Sequence, residues 1–266
     1  MKDAAKKKVA EITLDKARSA SNLLSKQGDL LQILEEDREE IAWRAIIHKA
    51  PRGLLAFGTR AVTNSLASPD NLACWGKLVS PRCMVCGHTP GNLGHLLSAC
   101  AKAREQGRYT ARHDAIIKYW LTSNTNTNIA LYADIDGFRT SGGTIPTSVL
   151  VTPQRPDLVI QNNNELTLIE LTVSWDTKEG IEAARQRKEV RYAPLLSDLQ
   201  EAGTKANLIT IEIGARGFIS KVNKSSITHL AHILKISKIK EFTAMSSRLA
   251  LSGSRAVYNA RNSPEW

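Results

Sequence analysis

Two acids set in apolar surroundings are the residues of this chain most suited to chemistry. Asp157 follows Arg155-Pro156 and opens the run Leu158-Val159-Ile160, and Glu170 stands inside Leu166-Thr167-Leu168-Ile169-Glu170-Leu171-Thr172-Val173. Twelve residues separate them, among them Gln161-Asn162-Asn163-Asn164-Glu165. Asparagine tolerates the left-handed backbone of tight turns, so this tract predicts a β-hairpin. A turn centred on Asn163-Asn164 sets Asp157 opposite Glu170, with Cα atoms roughly 4.5 to 5.5 Å apart. Two carboxylates that close repel each other, and a divalent cation between them would relieve the repulsion.

The third member is Lys188. Ile181, Ala184, Lys188, Tyr192, Leu195 and Leu199 recur at steps of three and four, which puts Lys188 on the inward face of a helix. A lysine there can simply snorkel, its stem covering apolar surface. Beside two carboxylates it can serve phosphodiester hydrolysis: the acids hold Mg²⁺, the metal lowers the pKa of a water, and the ammonium orients the nucleophile or stabilises developing charge. Asp157 and Glu170 are the expected ligands, and Asp157, Glu170 and Lys188 the expected catalytic group. Glu182, one turn before Arg185, reads either as an accessory ligand or as an exposed acid at a helix start.

A second constellation is Cys83-Met84-Val85-Cys86, then eight residues, His95, four residues and Cys100. Two thiolates on a knuckle, an imidazole and a third thiolate can close a tetrahedral structural zinc site with nothing left open for substrate. His88 in place of His95 is a variant of the same site. Cys74, outside the knuckle and next to Trp75, reads as a packed free thiol.

These residues need elements to carry them. A helical pattern runs from Lys2 to about Lys49, with Leu30, Leu34, Ile41, Ala45 and Ile46 on one face, and Pro51-Arg52-Gly53 ends it. A second helix is expected from Leu54 to Leu66, and Ser68-Pro69 caps a short third. Residues 92 to 122 read as helix in two pieces broken near Gly107. The polar tract Thr122-Ser123-Asn124-Thr125-Asn126-Thr127-Asn128 predicts a boundary. Strands are expected near 147 to 152, 157 to 161, 165 to 173 and 207 to 213, with a long helix from about Lys178 to Glu201. The last sixty residues return to helix, with Lys221, Lys224, Lys235, Lys238, Lys240 and Arg248 as a basic flank.

The bulk numbers narrow the function class. A chain of 266 residues with 42% hydrophobic content can bury a core in one large or two small domains, and two are expected. Its net charge of +10 suits a polyanionic partner. No stretch reaches the roughly 18 to 20 apolar residues of a membrane span, and Met1-Lys2-Asp3-Ala4-Ala5-Lys6-Lys7-Lys8 leads into no signal-peptide core. An intracellular protein, nuclear or cytoplasmic, is expected. Four cysteines do not make a disulfide framework at this length.

Taken together, these residues resemble the C-terminal region of non-LTR retrotransposon polyproteins that carry a restriction-like endonuclease. The family order is a helical linker, a CCHC knuckle, an Arg-His-Asp or Arg-His-Asn motif, Pro-Asp, a second acid, and a lysine displaced onto the next helix. Here it reads Cys83, Cys86, His95, Cys100, then Arg112-His113-Asp114, Pro156-Asp157, Glu170 and Lys188. The likeness extends to Glu170-Leu171-Thr172-Val173-Ser174-Trp175, Arg187-Lys188-Glu189-Val190-Arg191-Tyr192 and Gly214-Ala215-Arg216-Gly217-Phe218, and covers roughly residues 50 to 220. Thr172 stands where a standard restriction-like site has lysine, so the resemblance implies that Lys188 substitutes for it. No polymerase palm is present, and Tyr132-Ala133-Asp134-Ile135 only echoes its paired-acid motif.

The resemblance implies an α+β or α/β architecture in three parts. Residues 1–80 would be a helical linker, and 81–122 a CCHC zinc knuckle with following helices. Residues 123–266 would be a PD-(D/E)xK-type mixed-sheet domain with basic C-terminal helices. It implies structural Zn, catalytic Mg, and DNA as partner with RNA as a further candidate, no membrane, and an open oligomeric state. Arg112, His113, Arg191 and Arg216 would face nucleic acid. Read by residue type alone, Arg112 and His113 fit an ordinary polar helix face, and Arg216 could instead cap the strand that Gly217 ends. A catalytically inactive nucleic-acid-binding remnant is the rival function.

Overall fold

The computed structural model describes residues 2–24, 26–28, 30, 33, 50–135, 145–263 and 265–266. The hairpin forms in the expected register. Strands β2 (Leu158–Asn162) and β3 (Glu165–Ser174) pair antiparallel, Leu158 with Ile169, Ile160 with Thr167 and Asn162 with Glu165. Asn163 turns the chain at φ 52°, the left-handed region that asparagine tolerates.

Helix α6 (Lys178–Glu201) follows β3, starting at Thr177, whose side chain accepts a hydrogen bond from the Gly180 amide. It crosses back so that β4 (Lys205–Gly214) lies parallel to β3, the connection that parallel neighbours require. Strand β1 (Ala130–Ala133) adds antiparallel to β2, giving a four-stranded mixed sheet in the order β1-β2-β3-β4. The architecture is mixed α+β, with helices on both sheet faces.

Alternation along the strands separates the two faces. Leu158, Ile160, Ile169, Leu171, Ile209, Ile211 and Ile213 pack on α5 (Arg108–Thr122), α7 (Lys221–Ile233) and α8 (Ile239–Asn259), chiefly through Ile116, Ile117, Trp120, Ile227, Leu230 and Phe242. On the opposite face Val159, Leu166 and Leu168 meet Tyr192 and Leu195 of α6. Asp157 and Glu170 are in phase with Val159 and Leu168, so both carboxylates belong to the α6 side. Burial of each large aliphatic contributes about 1.5–3 kcal/mol, so this register is strongly specified. A slip by one residue would exchange the faces.

Helices α1 (Lys2–Asn22), α2 (Arg52–Val62), α3 (Pro69–Cys74) and α4 (Ala101–Glu105) precede α5. The second expected helix ends at Val62 instead of Leu66, and Asn64 with φ 46° marks the break. The Ser68 cap is present, its hydroxyl accepting from the Asn71 amide. The strand expected near 147 to 152 is not formed. There the amides of Val149 and Leu150 both donate to the Pro146 carbonyl, at 2.9 and 3.0 Å, which makes a turn. The edge strand comes from Ala130–Ala133 instead. The helical pattern expected over 34–49 lies outside the described residues.

Packing is continuous across the boundary expected at 122/123. Trp120 sits in the sheet core, and the asparagine tract is stitched to the end of α7, where Asn126 Nδ2 donates to the Ile233 carbonyl at 2.8 Å. Among the described residues no helix is long and apolar enough to cross a membrane.

Candidate metal centre and carboxylate site

The cysteine segment contributes little apolar area of its own. A small cluster of Cys83, Leu96, Cys100 and Ala103 closes against Val85 and Tyr109. A π-helical turn, His95–Ala99, begins where Asn92 Oδ1 accepts the His95 amide. It brings His95 Nε2 to 3.2 Å from Cys86 Sγ. The donor atoms of Cys83, Cys86, His95 and Cys100 all lie within 4.8 Å of one another, so this group could hold a metal ion. His95 belongs to the set, and His88 stacks on its ring at 4.4 Å between centroids. Burial, with the neighbouring His88, lowers the His95 pKa and favours the neutral imidazole that ligates metals. Burial pushes the Cys100 thiol up to about 11, with Cys83 and Cys86 adding to the shift. Metal would therefore bind with release of protons. Cys74 is free but exposed, not packed as expected, because α3 turns it outward beside the exposed Trp75.

The second site is built on the hairpin. The Asp157 amide donates to Glu170 Oε1 at 3.2 Å, and the Leu171 amide donates to Asp157 Oδ2 at 2.8 Å. Lys188 reaches down from α6 and bonds Glu170 Oε2. The structure thus brings Asp157, Glu170 and Lys188 together from two strands and a helix. Glu170 is fully buried in its side chain, Asp157 is 18% exposed and Lys188 24%, so the group opens to solvent on one side.

The two acids have opposite electrostatics. Burial and the adjacent Asp157 charge raise the Glu170 pKa, only partly countered by Lys188. Burial also acts to raise Asp157, but hydrogen bonding and charge from His113, with help from Lys188, outweigh it and hold that carboxyl below its usual range. The hairpin thus offers one carboxyl that is held ionised and one that resists ionisation.

Sequence reasoning left the partner of Asp157 unseen. His113 Nε2 lies 3.1 Å from Asp157 Oδ2, and His113 Nδ1 lies 3.0 Å from Asp114 Oδ1. Burial would lower the His113 pKa, but its hydrogen bonds to Asp114 and Asp157 raise it to about 9. A second buried acid, Glu212 of β4, pairs with Arg185 at 2.7 Å on the same sheet face. Its signal was available: a lone acid in Ile211-Glu212-Ile213, as Glu170 is in its own strand. Glu182 is exposed and lines a cavity of about 370 Å³ with Arg185, Phe218 and Ser220, away from the hairpin.

Of the four residues expected to face nucleic acid, Arg112 and Arg216 are buried. Arg112 is 3% exposed, and its guanidinium donates to the carbonyls of Leu97 and Val173 and to Ser254 Oγ. It ties the Cys/His segment to α8 and β3. A Cβ on Gly253 would fall 2.4 Å from Arg112 Cγ, so that glycine in α8 is required by the close approach. Arg216 is 1% exposed, donates to Asp176 and stacks on Trp175 at 4.0 Å. His113 is engaged with acids rather than turned to solvent. Arg191 alone of the four is exposed.

No protein-family model matches the sequence, and comparison with curated proteins finds no match.

Proposed function

We propose that this chain is a metal-dependent DNA-nicking endonuclease of restriction-like architecture, related to the C-terminal region of non-LTR retrotransposon polyproteins. The observation that carries this reading is the convergence of Asp157, Glu170 and Lys188 on one partly open sheet face. Asp157 and Glu170 would hold Mg²⁺. When bound, the cation supplies positive charge beside a phosphate and a water of lowered pKa. Lys188, which bonds Glu170 Oε2, would offset negative charge in the transition state as water attacks phosphorus and the electron pair of the breaking P–O bond passes to the leaving oxygen. Apolar walls from Tyr192, Leu166 and Leu168 exclude water from the inner side of the pair and strengthen those interactions.

DNA, with RNA as a further polyanion, is the partner that the charge favours. Between Asp70 and Glu105 the sequence holds no acid and carries Lys77, Arg82, Lys102 and Arg104, all exposed. Lys221 and Lys224 are exposed on α7, Lys235 and Lys238 in the connection that follows, Lys240 on α8, and Arg187 and Arg191 on α6. Neutralising phosphates with such side chains makes binding fall steeply with salt.

Incubation with supercoiled plasmid and Mg²⁺ tests the reading. Open-circular product is expected, and none with EDTA. Nicking that persists in EDTA would sink the proposed chemistry, and salt-sensitive DNA binding without nicking would select an inactive binding module.

The CCHC group is proposed to hold structural zinc, since three thiolates and one neutral imidazole in closed tetrahedral reach leave no position for substrate. Metal analysis should find about one zinc per chain and almost none in Cys83→Ser. Because the surrounding cluster is small, the variant should also lose protease resistance between residues 81 and 105. Full zinc content in Cys83→Ser would refute the assignment.

A further inference from the structure

We infer that His113, oriented by Asp114, is a positioning residue for Asp157: it fixes which carboxylate oxygen that residue offers to a divalent cation. The inference rests on the endonuclease reading of the carboxylate pair and concerns a residue that touches neither phosphate nor metal in it.

The geometry runs in one line. Asp114 Oδ1 lies 3.0 Å from His113 Nδ1, and His113 Nε2 lies 3.1 Å from Asp157 Oδ2. Oδ2 also accepts the Leu171 amide at 2.8 Å. With two donors converging on Oδ2, the carboxylate cannot rotate freely, and Oδ1 is left as the ligand oxygen. Glu170 differs in having both oxygens engaged. Its Oε2 is taken by Lys188 and its Oε1 faces the Asp157 amide. Carboxylates that bind metals are held by such outer hydrogen bonds, whose loss costs 10- to 100-fold in metal affinity in about the usual case.

What holds His113 in place is its chain neighbour. Arg112 is anchored by its hydrogen bond to the Val173 carbonyl, three positions beyond Glu170 on β3, and by bonds to Leu97 and Ser254. This pins α5 to the strand that carries the second acid. His113, the next residue, meets Asp157 Oδ2 from α5, while Lys188 meets Glu170 Oε2 from α6. Arg112-His113-Asp114 therefore works as anchor, contact and orienter. A helix surface turned to DNA would have left Arg112 and His113 exposed, yet Arg112 is 3% exposed and the His113 side chain 23%, with Asp114 more open at 37%.

The test uses the zinc-loaded full chain and four variants: His113→Leu, His113→Gln, Asp114→Ala and, as blank, Asp157→Ala. Mn²⁺ affinity is read by calorimetry, alongside melting temperature, DNA affinity and the Mg²⁺ dependence of nicking. His113→Leu should weaken Mn²⁺ binding about 10- to 100-fold, raise the Mg²⁺ needed for half-maximal nicking in proportion, and leave DNA affinity unchanged. His113→Gln, whose amide can donate to Oδ2, should restore most of the affinity, and Asp114→Ala should show a smaller loss. If His113→Leu does not fold, the Gln and Asp114 variants decide the matter. Mn²⁺ affinity within about twofold of wild type in His113→Leu, or a loss of DNA affinity in its place, overturns the inference while leaving the nuclease reading intact. A wild-type chain that binds no Mn²⁺ beyond the Asp157→Ala blank and nicks nothing overturns the nuclease reading, and this one with it.

Discussion

Glu170→Gln should abolish nicking, lowering the rate by about a thousandfold or more, which corresponds to about 4 kcal/mol of transition-state stabilisation. The substitution keeps the shape of the side chain and one carbonyl oxygen, so the hairpin and its register should survive. It removes the charge that a cation needs and the partner that holds Lys188 in place. Lys188→Ala should lose less, about a hundredfold, because it removes charge stabilisation but leaves both ligands. Circular dichroism and melting of each variant, read beside the plasmid assay, separate lost chemistry from lost fold. Equal nicking by wild type and Glu170→Gln would remove Glu170 from the mechanism.

The same variant carries a stability prediction of definite sign. Burial, with the Asp157 charge, raises the Glu170 pKa in the folded chain above its ordinary value of 4.5. A raised acid costs the fold stability as pH climbs from about 4.5 through the folded pKa, because the unfolded chain ionises first. Glutamine does not titrate. Measured without added Mg²⁺, Glu170→Gln should therefore gain on wild type as pH rises through that window, and the gain should shrink when Mg²⁺ is supplied to the wild type. A difference that is flat with pH would mean that Lys188 already compensates the buried charge in full.

The parts of this architecture legible in the sequence are those fixed by local chemistry. The asparagine turn and a period of two set the hairpin register, and the apolar stripe from Ile181 to Leu199 marked the helix that forms as α6, Lys178–Glu201. The Cys and His spacing identified a group that the fold does bring within metal-binding reach. What the sequence hid is long-range. Nothing local says that His113 will meet Asp157, which lies 44 positions later in the chain, or that Arg112 will be spent on carbonyls of two other elements. Basic residues read as surface by default because burying a guanidinium is costly. That default fails where the fold supplies acceptors, as it does for Arg216 and for the terminal nitrogens of Arg112. The missed edge strand has the same origin, since Ala130–Ala133 is only four residues long and gains its structure from pairing with β2.

Arg216 gives the sharpest separation between a surface role and a core role. Its Nε and its own backbone amide donate to Asp176 Oδ2 at 3.1 and 2.9 Å, and a terminal nitrogen donates to the Asp176 carbonyl. The Phe218 amide donates to Asp176 Oδ1 at 3.3 Å, and Gly214 is required here because a Cβ would collide with the same oxygen. The loop Gly214-Ala215-Arg216-Gly217-Phe218 is thus wrapped around one buried carboxylate. Arg216→Ala should lower stability by about 3–5 kcal/mol, the cost of leaving a buried charge without its partner, and the melting temperature by on the order of 10 °C. Asp176→Ala should cost more than Arg216→Ala, since it strands a buried guanidinium and two backbone amides, whereas the arginine variant leaves Asp176 with both amide donors. Arg191→Ala, at an exposed site, should do the reverse, weakening DNA binding and reducing its salt dependence with little change in melting. Were Arg216→Ala to weaken DNA binding without moving the melting temperature, the buried pair would not be holding this loop.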